Sequence, residues 1–163
     1  VKPFRNVLFT TLLVLSAFTA VVYTACSKVK CGGTTCQNGG TCSDNKCLCL
    51  TGYSGADCGT SWSSKFIATY NNCSKTCSPS LGTGTWQSII TANSNSGQDT
   101  IVISNFGGLT QSVVAGLDSS GHIYIDPTSS SGIRGSGEMD STGKINIRFT
   151  LGTTSTCTMT MAK

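Results

Sequence analysis

Charge is scarce in this chain. Only 11% of its residues are Asp, Glu, Lys or Arg, a composition unlike that of a charged disordered tail or a cytosolic helical enzyme. The formal net charge is +4, and removing Lys2 and Arg5 with an N-terminal leader leaves about +2. No basic run accompanies that small excess, so nothing points to nucleic acid as a partner. Histidine occurs once, as His122, and the cysteine spacing offers no zinc pattern beyond the short Cys47-x-Cys49 pair, which argues against a metal centre. No G-x-S-x-G stands at a strand-to-helix turn. The acidic residues are scattered through turns, and nothing in their spacing proposes a glycosidase carboxylate pair. No cofactor motif is present, and after residue 25 no segment has helical length and period.

What the chain has in abundance is cysteine. Ten cysteines in 163 residues indicate an oxidising compartment and a disulfide framework. Residues 1–25 read as an export leader. Lys2 and Arg5 give the positive start, and the run from Val7 to Val22 is apolar but short for a membrane span. An uncleaved anchor or a buried helix is the other reading of this run. Tyr23-Thr24-Ala25-Cys26 resembles the lipobox of bacterial lipoproteins, with Tyr23 where Leu is usual. The resemblance implies cleavage before Cys26 and a diacylglycerol on its sulfur, anchoring the protein to a membrane surface without a spanning segment. The alternative makes Cys26 an ordinary disulfide cysteine.

Residues 26–30 then form a linker ahead of six cysteines in residues 31–58. Twenty-eight residues cannot bury enough apolar surface to offset chain entropy, so this segment needs crosslinks. Spacing alone allows any of 15 pairings. The segments Cys36-Gln37-Asn38-Gly39-Gly40-Thr41-Cys42 and Cys47-Leu48-Cys49-Leu50-Thr51-Gly52-Tyr53-Ser54-Gly55-Ala56-Asp57-Cys58 resemble the signature of EGF-like modules. That resemblance implies the pairs Cys31–Cys42, Cys36–Cys47 and Cys49–Cys58. Calcium-binding modules of this type carry acidic and amide residues before the first cysteine. Ser27-Lys28-Val29-Lys30 stands there instead, which argues against calcium and for a spacer or a contact surface.

Residues 59–64 read as a polar linker, and residues 65–163 as a second domain of short alternating runs. Strands are expected at 65–70, 86–92, 100–106, 111–117, 122–125, 132–139, 144–151 and 157–161. The period-two pairs Ile101/Ile103, Ile123/Ile125 and Met159/Met161 support them, as do turn signals such as Ser119-Ser120-Gly121, Asp126-Pro127 and Ser141-Thr142-Gly143. The fold class is therefore all-β: a small disulfide-rich module followed by an eight-stranded antiparallel meander. A lipocalin-like barrel is the first expectation and a β-sandwich the alternative. The segments Lys65-Phe66, Ile103-Ser104-Asn105-Phe106, Ile125-Asp126-Pro127 and Gly135-Ser136-Gly137, with Cys157 in the last run, loosely resemble domains of unknown function that follow EGF-like modules in Bacteroidetes-type lipoproteins. No activity comes with that resemblance.

In a closed meander the first and last strands are neighbours, which puts Cys157 beside the stretch containing Cys73 and Cys77. The family resemblance favours Cys77–Cys157, with Cys73–Cys157 as the alternative. Either choice leaves one cysteine over if Cys26 is lipidated. His122 reads as a solvated strand-end residue. Trp62, Trp86 and Tyr124 are candidates for a sugar-stacking face or, alternatively, linker contacts and core. Three function classes follow. The first is a non-enzymatic surface lipoprotein of the cell envelope, on the outer membrane if anchored and otherwise secreted, whose barrel is structural or binds an extracellular protein or glycan. The second is a carrier of a small apolar ligand, whose lumen would be a cavity among small residues. The third is a secreted hydrolase acting on polysaccharide.

Overall fold

A computed structural model describes residues 30–94, 97–128, 132–152 and 154–163. The leader 1–25 and Cys26 lie outside these residues. The first part of the fold is a ladder of two-stranded hairpins. β1 (Lys30–Cys31) pairs with β2 (Thr34–Thr35), β3 (Thr41–Ser43) with β4 (Lys46–Leu48), and β5 (Tyr53–Ser54) with β6 (Thr60–Ser61). Hairpins this small bury little, and covalent bonds hold them: Cys31–Cys42, Cys36–Cys47 and Cys49–Cys58. Gly40 shows how tight the packing is, because a Cβ there would sit 2.9 Å from the Cys58 sulfur.

The second part is a closed barrel of eight antiparallel strands: β7 (Ala68–Ser78), β8 (Thr85–Ala92), β9 (Thr100–Ser104), β10 (Val113–Leu117), β11 (His122–Ile125), β12 (Arg134–Met139), β13 (Ile145–Leu151) and β14 (Ser155–Ala162). Each strand pairs with the next, and β14 returns to pair with β7. This is the barrel, not the sandwich, of the two expected architectures. Closure leaves no exposed sheet edge to recruit another chain.

The first barrel strand departs most from expectation. It runs over Ala68–Ser78 instead of 65–70, because the polar stretch Asn71-Asn72-Cys73-Ser74 hides its period. The register with β8 shifts between Tyr70 and Cys73. This bulge leaves Asn71 and Asn72 both exposed, so Tyr70 and Cys73, three positions apart, both reach the core. A strict two-residue alternation would have sent one of them outside.

The lumen is filled. Ile90, Ile101, Ile103, Ile123, Ile145, Ile147, Phe149, Met159 and Met161 are buried to within 1% of complete. One end is plugged by the 3-10 turn Phe106–Gly108, where Phe106 meets Phe149 edge-on at 4.8 Å and Lys75 donates to the Gly107 carbonyl at 2.7 Å. Near the other end lies the buried Phe66, whose carbonyl accepts the Tyr70 hydroxyl at 2.9 Å. Burial pushes the Tyr70 phenol up to about 12, with Cys73 adding to the shift.

β12 is the thin strand in this wall. Gly135 and Gly137 alternate with outward residues and pair with Phe149 and Ile147. A Cβ on Gly137 would collide with the Asn146 carbonyl oxygen and lie 2.7 Å from the Ile147 side chain. Both neighbours are fixed by the ladder, so the strands would have to separate. Gly137→Ala is expected to destabilise the barrel by about 1–3 kcal/mol, the usual cost of overpacking. Urea unfolding checks this, and an unchanged midpoint would refute it.

Candidate functional site

Residues 59–64, expected as a linker, are folded. Thr60 and Ser61 pair with β5, and Trp62–Lys65 forms a 3-10 turn. The Trp62 indole N–H donates to the Tyr53 carbonyl at 3.0 Å, and the buried Ser63 donates its backbone N–H to the Gln98 carbonyl at 3.3 Å. Gly52 lies against Gln98 and Asp99 of the β8–β9 loop. The disulfide module is thus seated on the barrel end, with a small cleft of about 90 Å³ between Ser54, Trp62, Lys65 and Asp118.

Cys77 and Cys157 face each other across the β7–β14 ladder and are joined by a disulfide. Cys73 is a buried free thiol whose Sγ donates to the Tyr70 carbonyl at 3.3 Å. Burial raises its pKa, against the lowering effect of hydrogen bonds from Ser88, which keeps the thiol protonated and unreactive. The sulfurs of Cys31, Cys36 and Cys47 lie within 4.8 Å of one another. Each is committed to a disulfide and offers no thiolate to a metal.

Trp62 and Trp86 are half-buried against the core, and the Trp86 indole donates to the Ser88 hydroxyl at 3.0 Å. Of the three aromatic candidates, only Tyr124 stands out from the wall, at 44% exposure. It lies on β11 opposite Gly116 of β10, and a Cβ on Gly116 would touch its ring at 3.1 Å. The glycine therefore makes room for the ring to lie flat on the barrel. The sequence carries no signal for this contact, because it depends on cross-strand register.

Register also gives His122 neighbours that its sequence surroundings only half reveal. Its Nδ1 lies 2.9 Å from the Asp118 carboxylate, and its Nε2 is 3.8 Å from Glu138 on the adjacent strand. Asp118 organises the β10–β11 turn, accepting backbone N–H groups of Ser120 and His122 at 2.8 and 2.9 Å. Asp140 repeats the device at the β12–β13 turn with Thr142 and Lys144. Both turns follow the pattern Asp-Ser-Ser/Thr-Gly, with the glycines at φ +88° and +82°, a conformation that favours glycine. All three groups of the Asp118–His122–Glu138 cluster are solvent-accessible, and no hydroxyl or thiol nucleophile hydrogen-bonds His122 among the described residues. The cluster therefore lacks the nucleophile–base contact of acyl-transfer chemistry.

Three grooves adjoin one another around the outer wall. The first, about 600 Å³, is lined by Val114, Tyr124, Pro127 and Arg134. The second, about 540 Å³, contains His122, Tyr124, Ser136, Glu138 and Arg148. The third, about 320 Å³, contains Thr76, Arg148 and Thr158. Tyr124 is the ridge between the first two, and Arg148 and Thr158 border both the second and the third. No family model matches the chain, and no curated protein or solved structure matches it. What fold and surface define is a class: a small closed barrel with a filled interior, carrying a disulfide-stapled module. Among the described residues, no helix is long and apolar enough to cross a membrane.

The hydrogen bond from the His122 side chain, reinforced by its backbone N–H, holds the Asp118 carboxyl at about 2. An unfolded Asp titrates near 3.9. A depressed folded-state value means that these bonds contribute stability above the unfolded value, and that the contribution is lost as pH falls from about 4 through about 2. Asp140, through the Thr142 hydroxyl, and Asp126, through the Thr128 backbone N–H, are lowered as well, so the same acid window weakens three turns. An NMR titration of the carboxyl carbons should place the Asp118 midpoint near 2. A midpoint near 4 would contradict the turn geometry.

Proposed function

We propose that this chain is a non-enzymatic exported surface lipoprotein. In this reading Cys26 carries the lipid, the disulfide-rich module is an EGF-like spacer, and the barrel held off the membrane is a binding or structural unit that works through its outer wall. The observation that carries the reading is the filled lumen. Nine strand residues and two capping phenylalanines occupy the space where a carrier would hold its ligand, which weighs against the lipocalin-like alternative. The exposed Asp118–His122–Glu138 cluster, with no hydroxyl or thiol hydrogen-bonded to His122 among the described residues, weighs against ester hydrolysis; the secreted polysaccharide hydrolase is the second alternative, distinguished by turnover of a polysaccharide. Four disulfides in a charge-poor chain support export. The seating of Trp62 and Ser63 against Tyr53 and Gln98 supports a spacer that holds the barrel at a set orientation rather than on a free tether.

Intact-mass analysis of the full chain expressed in a bacterial host tests the anchoring. The expected product starts at Cys26 and carries the added mass of a diacylglycerol. A soluble product with Cys26 in a disulfide would overturn it. Titration of the same protein with a fluorescent fatty acid tests the filled lumen. The expected result is no saturable binding, and stoichiometric uptake would restore the carrier reading.

A further inference from the structure

The three grooves follow one lateral row of the barrel wall. Strand register aligns Gly116, Tyr124, Ser136, Arg148, Thr158 and Thr76 side by side across β10, β11, β12, β13, β14 and β7. Neighbouring strands are 4.7–4.9 Å apart, so along the curved wall Arg148 is about 10 Å from Tyr124, with Ser136 between them, and Thr76 about 19 Å. The row is a shallow track with an aromatic platform near one end and hydroxyls along the rest.

Two properties of the row point to a ligand. First, among the described residues the side chains of Ser136, Arg148, Thr158 and Thr76 make no hydrogen bond within the protein, although all four are exposed. Their donors and acceptors are free for an incoming partner. Second, among the described residues the ionisable groups bordering the track lie beside one another, with one exception. His122 approaches Glu138 at 3.8 Å, and Arg134 is close enough to Asp126 to help lower its carboxyl. Arg148, mid-row, has no acidic partner among the described residues.

We propose that this track binds a linear acidic glycan, one bearing uronate or sulfate groups. The apolar face of a pyranose ring lies on the Tyr124 ring, and the Arg148 guanidinium pairs with a carboxylate or sulfate farther along the chain. The hydroxyls of Ser136, Thr158 and Thr76 exchange hydrogen bonds with the ring hydroxyls. An extended peptide fits less well. Peptide strands bind by extending an open sheet edge, and the closed barrel has none. Across the strands a peptide would meet side chains only, with its own backbone groups unpaired.

The proposal rests on the reading of the barrel as a binding unit that works through its wall. The test is retention of the full-length protein on immobilised oligogalacturonate, its methyl-esterified neutral form, chondroitin sulfate, and an extended acidic peptide. The expected result is retention on at least one acidic glycan, weakened roughly tenfold or more by Tyr124→Ala and by Arg148→Gln, corresponding to about 1.4 kcal/mol. Tyr124→Phe should retain binding, since the ring does the stacking. Ile89→Ala, an exposed wall position off the track, should leave binding unchanged. If oligogalacturonate is the retained glycan, esterification should weaken it as Arg148→Gln does. The variants alter outward side chains, and unchanged melting midpoints would show that they fold. The proposal is overturned if no acidic glycan is retained, if Tyr124→Ala and Arg148→Gln bind as the parent does, or if only the peptide is retained. Depolymerisation of a bound glycan would instead refute the non-enzymatic reading and leave the track in place.

Discussion

Everything in the second domain depends on the closure of the barrel where β7 meets β14. Seven residue pairs from Thr156–Ser78 to Ala162–Asn72 form that seam. The Cys77–Cys157 bridge crosses it, linking positions 80 apart in sequence. A crosslink over so long a loop restricts the unfolded chain strongly. With the seam shut, inward residues have nowhere to go but the lumen, and outward residues form a continuous wall. Thr76 joins the row of Tyr124, Ser136, Arg148 and Thr158 only because β7 returns to β14 in this register.

The filled lumen then decides where function can lie. A barrel of eight strands has an interior that side chains can fill or that can hold one small ligand. Here isoleucines, methionines and phenylalanines take the space, and the glycines of β12 let Ile147 and Phe149 pack closely against that strand. The same thin strand carries Arg134, Ser136 and Glu138 on its outer side, where the wall is grooved. Tight interior packing and an open outer surface are two sides of one strand.

The expected architecture and most barrel strands were legible in the sequence because period-two alternation and glycine-containing turns are local signals. The stretch from Asn71 to Ser78 was not, because a bulge breaks the alternation and the residues there are polar. Nor was the folding of residues 59–64: their contacts, Trp62 to Tyr53 and Ser63 to Gln98, come from partners up to 35 positions away. The wall track was least legible of all. Tyr124 stood out as an aromatic, but Arg148 and Thr76 are ordinary residues in their own strands, and only sheet register sets them in one row. His122 lay between these cases. Asp118, four positions earlier, was visible in the sequence, whereas Glu138 reaches it only through the β11–β12 pairing.

The seam is also where the account is most directly open to test. Digestion of the unreduced protein, followed by mass spectrometry, identifies the partner of Cys157. The register described here requires a peptide pair joined through Cys77 and Cys157, with Cys73 released as a free thiol that alkylates only after unfolding. A Cys73–Cys157 bridge would require β7 to slide four residues along β14. It would put Asn72, not Thr76, beside Thr158 at the end of the row and contradict the account.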